Sequence, residues 1–311
     1  MYGLKATEDT AMLTIPMPVF TAIAMVVGGI GSIFVLVHCV LQGTSQRLTP
    51  FFIIAFSLCM SNLVLICIQT TNEFLELLGE TYSHLMTLLD RVSMSFLCYS
   101  LWLCTWLSLY YQVKIVPTLP RLYVWLKLRF IDVLPWFLVF SGLISATVGF
   151  CIVLDDTHGL LFNSSNLSTG NRQMTSNVYL LHVQLYCAFV SLSMLITFKS
   201  VMTIIFSLRR HVQHMMRQSS GFTSINVEAH YTAAKTVVTL LVFNFFLFLS
   251  QVIGYLRNDV YSVSILTSVT LSALLTICPY ILINGNSKLK MEAKATFQRI
   301  FHELRNEKLS N

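Results

Sequence analysis

The chain has 311 residues, 55% of them hydrophobic and only 11% charged, with a formal net charge of +6 and a mean hydropathy of +0.69. Soluble domains carry roughly 25% charged residues, so this composition excludes a globule solvated by water and leaves a bilayer as the solvent. At about 20 apolar residues per spanning helix, the length holds about seven spans with short connections and no separate soluble domain.

In chain order, residues 1–11 are polar and carry Lys5, Glu8 and Asp9, without the basic-then-apolar layout of a cleaved signal. Apolar runs predict helices over 13–41, 51–78 and 85–116, separated by polar turns at 42–50 and 79–84. Pro117 and Pro120 break the chain, and an aromatic and basic stretch, 123–130, leads into a fourth helix over 131–154. A long polar loop is expected over 155–177, then a fifth helix over 178–208 and a basic connection over 209–227. The sixth and seventh helices are expected over 228–256 and 260–283, joined by a tight turn. The organisation is thus a seven-helix domain, 1–287, followed by an amphipathic tail, 288–311. In that tail Leu289, Ala293, Phe297, Ile300, Phe301 and Leu304 share a face flanked by Lys288, Lys290, Lys294 and Arg299, which suits an anionic membrane surface.

Orientation follows from basic residues beside the helix ends. One set of connections holds Arg47, Lys114, Arg121, Lys127, Arg129, Arg209, Arg210, Arg217 and Lys235, and the basic tail lies on the same side. The other side holds Lys5, Arg91, Arg172 and Arg257 among many more carboxylates, including Glu73, Asp90 and Asp155. The first side is expected to be cytoplasmic, with the N-terminus outside. The sequons at Asn163 and Asn166 fall in the outer loop and are the candidate glycosylation sites. The eight cysteines all lie in apolar stretches with no C-x-x-C pair, so buried thiols are expected rather than a disulfide framework or zinc site.

Seven helices leave receptor, transporter and membrane enzyme open. His38, His182 and His230 lie on different helices at different depths, and neither a phosphate loop nor a nucleophile elbow occurs, so no enzyme, metal or cofactor is expected. No repeat relates the two halves as in many transporters. Lys199 is the one clear intramembrane charge.

Local motifs favour a receptor. Ser207, Leu208 and His211 match an S-L-x-x-H pattern, and Ala229, His230, Ala233 and Lys235 match A-H-x-x-A-x-K across the same connection. Trp102, Leu103 and Thr105 with Tyr111, Lys114 and Ile115, then Leu126, Lys127 and Arg129, then Ile281, Leu282, Ile283, Gly285 and Asn286 with Lys288, Leu289 and Lys290, give three further segments. In these the chain resembles the bitter taste receptors (type 2 taste receptors) over most of its length. It departs from their pattern where Ser32 replaces the Asn of a G-N pair, Asn62 replaces an Arg in the second helix, and Cys278 with Pro279 replaces an H-S pair in the seventh. The vomeronasal type-1 receptors are the nearest rival reading.

The resemblance implies a small bitter-type ligand between the outer halves of the helices and a heterotrimeric G protein, gustducin-like or inhibitory, at the inner ends. Helical spacing groups the candidate ligand residues: Gln69 and Glu73 on the second helix; Asp90, Ser93, Met94 and Leu97 on the third; His182, Tyr186 and Phe189 on the fifth. Phe248, Gln251 and Tyr255 follow on the sixth, and Ser264, Thr267, Ser268 and Leu271 on the seventh. The candidate G-protein residues are Tyr110, Lys114, Arg121, Lys127, Arg129, Arg209, Arg210, His214, His230 and Lys235. Pro135 and Pro279 are expected to bend their helices.

Overall fold

The computed structural model describes residues 21–45, 49–78, 83–116, 121–163, 169–217, 224–257 and 260–310, with some side chains in these helices left outside the described set. A bilayer offers no water to an exposed amide, so each apolar run satisfies its own backbone as a helix. A π-helical turn, Ala24–Gly28, leads into α1, Gly29–Ser45. Then come α2 (Pro50–Leu78), α3 (Ser83–Ile115), α4 (Arg121–Asn163), α5 (Thr169–Arg217), α6 (Ser224–Arg257) and α7 (Val260–Gly285). The last helix, α8, runs over Ser287–Ser310. Seven of these elements contain a segment long and apolar enough to cross a membrane, so the chain is an all-α, seven-span membrane bundle.

α3 is the axial helix: it packs on α2, α4, α5 and α6. Of its most apolar window 61% is buried, against 22% for α4, which makes α4 peripheral. Leu97, Leu103 and Leu107 of α3 join Leu58 and Leu65 of α2, Leu240 and Leu247 of α6, and Leu275 and Leu282 of α7 in one core. The opposite faces carry exposed apolar side chains, such as Ile30, Ile33 and Val37 on α1, Trp136 and Phe140 on α4, and Leu195 and Phe198 on α5. Large apolar groups turned outward on every peripheral helix are what hydrocarbon solvent permits. Lys199 is exposed on α5.

The helices extend beyond the apolar runs. α4 continues to Asn163 and α5 begins at Thr169, so the stretch expected as a polar loop over 155–177 is helical apart from 164–168, which lie outside the described residues. That stretch contains no proline, and polar residues do not end a helix that has left the hydrocarbon. The sequons divide accordingly: Asn163 ends α4, while Asn166 lies outside the described residues.

α1 and α7 meet closely where Pro279 interrupts the ladder of α7. A proline has no N–H for the carbonyl four residues back, here Leu275 O. Gly28 packs against that carbonyl, and a Cβ at 28 would stand 2.6 Å from it. The Tyr280 hydroxyl donates to Val27 O at 3.0 Å, inside the π-helical turn. No pattern in the sequence announces that turn.

α8 follows α7 almost without a break. Asn286 Oδ1 accepts the Lys288 N–H at 3.0 Å, an N-cap bond, and Leu289 is fully buried against the bundle. Lys288, Lys290, Lys294 and Arg299 are exposed, as is Phe297 on the apolar face.

Candidate functional site

The two ends of the bundle differ in charge. Exposed Lys114, Arg129, Arg209, Arg210 and Lys235 mark a basic end, and Glu73 and Asp90 lie toward the other, acidic end.

In the acidic half, candidate residues from five helices hydrogen-bond across helix boundaries. The Tyr186 hydroxyl of α5 donates to Gln251 Oε1 of α6, and Gln251 Nε2 approaches Met94 Sδ of α3 at 4.0 Å. Both Tyr186 and Gln251 are buried. One residue earlier on α6, Ser250 Oγ receives the Thr267 hydroxyl of α7 at 3.3 Å. On the far side of the bundle Gln69 Nε2 of α2 donates to Ser272 Oγ of α7 at 2.8 Å and to Thr21 Oγ1 at 3.5 Å. Thr21 in turn donates to Glu73 Oε1. Asn72 Nδ2 donates to Asp90 Oδ1 at 2.9 Å, tying α2 to α3.

Apolar candidates fill the space between. Leu97 and Leu271 are buried in the main core. Phe189 lies against Trp102 with centroids 4.8 Å apart, and Phe248 packs on the Cys98, Leu101, Tyr186 and Val190 cluster. Ser93 and Ser268 are half-buried. The side chains of His182, Tyr255 and Ser264, which lie on α5, α6 and α7, are outside the described set. Spacing on single helices identified one partner of most pairs and missed the others: Thr21, Asn72, Ser250, Ser272 and Trp102. Ser272 lies one turn beyond Ser268, so extending that stripe reaches it; Thr21 has no comparable signal.

At the basic end described residues of α3, α6 and α7 are in contact. The Tyr111 hydroxyl of α3 donates to Gly285 O of α7 at 3.4 Å. Beside it α6 touches α7 so closely that a Cβ at Gly285 would stand 2.6 Å from Thr236 Oγ1. A side chain here would meet the Thr236 side chain, which would have to shift or let the helices part. Phe51 packs near Tyr111 at 6.3 Å, and Tyr110 packs on Phe130 at 5.8 Å. Lys114 Nζ stands 5.7 Å over the Tyr110 ring in cation–π geometry. Arg129, Arg209, Arg210 and Lys235 ring these contacts on the surface. The side chains of Arg121, Lys127, His214 and His230 are outside the described set. Tyr111, Thr236 and Gly285, which make these contacts, are not in the sequence-derived set.

A family model described as taste receptor protein (TAS2R) matches residues 10–301, nearly the whole chain. The chain belongs to the taste receptor protein (TAS2R) family. Among similar proteins, taste receptor type 2 member 2 of Homo sapiens is 29% identical over 54% of this chain and 55% of its own length. Taste receptor type 2 member 41 of Mus musculus is 28% identical over 67% and 70%. Taste receptor type 2 member 10 of Pan troglodytes is 26% identical over 88% and 91%. The alignment with the human relative thus spans about half of that protein, whereas that with the chimpanzee relative spans nearly all of it. This assignment favours the taste receptors over the vomeronasal, transporter and enzyme readings and makes the chain a multi-pass membrane receptor.

In this taste receptor protein the three sequence departures noted above converge. Ser32 of α1 faces the Cys59 thiol of α2, Asn62 faces Cys278 of α7, and Cys59 and Cys278 are neighbours. Positions far apart in the sequence therefore lie together in the fold.

Proposed function

We propose that this taste receptor protein is a G-protein-coupled chemosensory receptor for small bitter-type organic molecules, with its acidic end outside the cell, its basic end in the cytoplasm, and the plasma membrane as its site of action. The ligand sits in the acidic half, among α2, α3, α5, α6 and α7. A gustducin-like or inhibitory heterotrimeric G protein engages the basic end.

The Tyr186–Gln251 pair beside Met94 carries the ligand half of this reading. It joins three helices through groups that a ligand hydroxyl, carbonyl or amine can replace. An apolar surround with a few convergent polar groups is the usual make-up of a small-molecule site. A ligand that takes over one partner of the pair changes the relative stability of two helix packings, and only that differential acts on the receptor. Leu97, Phe189, Phe248 and Leu271 supply apolar wall; Gln69, Glu73, Asp90, Ser93, Thr267 and Ser268 supply polar rim, with His182, Tyr255 and Ser264 completing the set.

At the other end, admission of a G-protein element requires α6 to leave α7 at Thr236 and Gly285. The basic ring, Lys114, Arg121, Lys127, Arg129, Arg209, Arg210, His214, His230 and Lys235 with Tyr110, then faces the incoming partner and the anionic leaflet. Coupling of about 1–3 kcal/mol between the two ends is sufficient. Calcium recording in cells supplied with a taste-type or promiscuous G protein, against a broad bitter panel, tests the reading. The expected result is a concentration-dependent response that disappears without the G protein and shifts in potency on Gln251→Leu. Silence from protein confirmed at the cell surface speaks against it.

A further inference from the structure

Two charged side chains face outward from the bundle within its apolar spans. Asp132 lies in the α4 span Leu128–Gly149 and Lys199 in the α5 span Gln184–Arg210, and both are exposed. Neither side chain has a hydrogen-bond or ion-pair partner among the described residues, although α4 and α5 pack on one another. Ionisable groups within spanning segments ordinarily face the bundle interior or pair with one another; these two do neither. Around them Trp136, Phe140 and Leu143 of α4 and Leu192, Leu195 and Phe198 of α5 are exposed as well. This side of the bundle is also the least covered. The buried share of the apolar window is 22% for α4 and 33% for α5, the two lowest of the seven spans.

Depth decides which partner fits. Trp106 of α3 stacks on Phe137 of α4 with centroids 4.4 Å apart, and the neighbouring Thr105 hydroxyl lies 3.0 Å from that of Thr197 on α5. Phe137 and Thr197 therefore share a level. From that level toward the basic end, Asp132 is five residues along α4 and Lys199 two residues along α5. At about 1.5 Å of rise per residue the two positions differ in depth by roughly 5 Å, and Lys199 is the deeper in hydrocarbon. The flexible four-carbon stem of lysine spans that difference, and it does so in the direction of the nearer membrane surface.

A two-fold rotation about the membrane normal leaves depth unchanged. It sets α5 of each copy against α4 of the other, with the same patch used on both sides. A foreign helix would need its own acid and base at matching depths; a second copy of this chain carries both. We propose that the outer face of α4 and α5 is an interface between two copies of this chain, joined by reciprocal ion pairs between Lys199 of one protomer and Asp132 of the partner subunit. The exposed apolar side chains of the same face supply the packing that holds helices together in a bilayer.

Energy transfer between donor- and acceptor-labelled copies of the whole receptor, reconstituted in liposomes at increasing lipid dilution, tests this. The unaltered protein should give transfer that persists on dilution. Lys199→Glu sets carboxylates against each other and Asp132→Lys sets ammonium groups against each other, so either variant alone should lose most of the transfer. Mixing the two variants provides two opposite-charge pairs again and should return transfer close to that of the unaltered protein. A misfolded variant would gain nothing from the other, so recovery separates a broken contact from a broken fold. Lys199→Met, a milder change that leaves a long apolar side chain toward lipid, should lower the dimer fraction several-fold by itself. Transfer in the unaltered protein no greater than chance encounter predicts would overturn the proposal. So would Lys199→Met copies that associate as well as the unaltered protein.

Discussion

The acidic half and the basic end of the bundle are held together in different ways. In the acidic half, helices are joined by side-chain pairs: Tyr186 with Gln251, Gln69 with Ser272, Asn72 with Asp90, and Thr267 with Ser250. At the basic end α6 and α7 are joined by fit, with Gly285 taking the space beside Thr236, and α3 and α7 by one longer bond from Tyr111. Pairs can be exchanged one at a time for bonds to a ligand. A steric fit either closes or does not, so the contrast suits graded recognition at one end and a two-state response at the other.

The sharpest way to break the contrast is to add one methyl group. Gly285→Ala places a Cβ 2.6 Å from Thr236 Oγ1 and 3.0 Å from its Cγ2, and overpacking of this kind costs about 1–3 kcal/mol. Basal G-protein signalling, normalised to surface expression, should rise. Adding Thr236→Ala removes the two nearer atoms, leaving Cβ at 3.2 Å, and should restore most of the closure. An unchanged basal level in well-expressed Gly285→Ala would mean that the contact does not hold the closed state.

Next in size is the Tyr186–Gln251 pair. Tyr186→Phe leaves buried Gln251 Oε1 without its donor, at about 1–3 kcal/mol. A double-mutant cycle with Gln251→Leu, read in agonist potency, should show strong non-additivity. Additive effects would mean that the pair does not act as a unit in recognition. Tyr111→Phe deletes only the 3.4 Å bond to Gly285 O. It should raise basal signalling by about 0.5–1.5 kcal/mol in the closed–open equilibrium, less than Gly285→Ala; a larger effect would shift the weight of the closure from fit to hydrogen bonding. Smallest is the surface ring. Arg209→Ala with Arg210→Ala should reduce G-protein coupling by about 0.2–1 kcal/mol for each exposed charge, and less at high salt. Salt-independent loss would point to a packed rather than an electrostatic contact.

Hydropathy made the seven spans legible because a bilayer imposes both length and composition on a helix. It gave no guide beyond the hydrocarbon, where α4 and α5 continue through polar residues until something stops them. The π-helical turn at Ala24–Gly28 was invisible for another reason: it accompanies the approach of α7, a contact between residues about 250 positions apart. Helical spacing indicated which faces of α5 and α6 turn inward, and Tyr186 and Gln251 do lie buried. Spacing is silent about partners on other helices, so Thr21, Asn72 and Ser272 were missed. The same limit made Ser32, Asn62 and Cys278 look like three unrelated departures, when the fold gathers them in one place.

The most direct test of the central claim is nucleotide exchange on a taste-type G protein by the purified receptor in nanodiscs, titrated with an agonist drawn from the bitter panel. Gln251→Leu should shift the concentration required while leaving the maximal rate near that of the unaltered protein. Arg209→Ala with Arg210→Ala should lower the maximal rate while leaving the concentration unchanged. That separation would place recognition in the acidic half and coupling at the basic end. No agonist-dependent exchange from folded receptor, or ligand-driven solute flux in its place, would contradict the account.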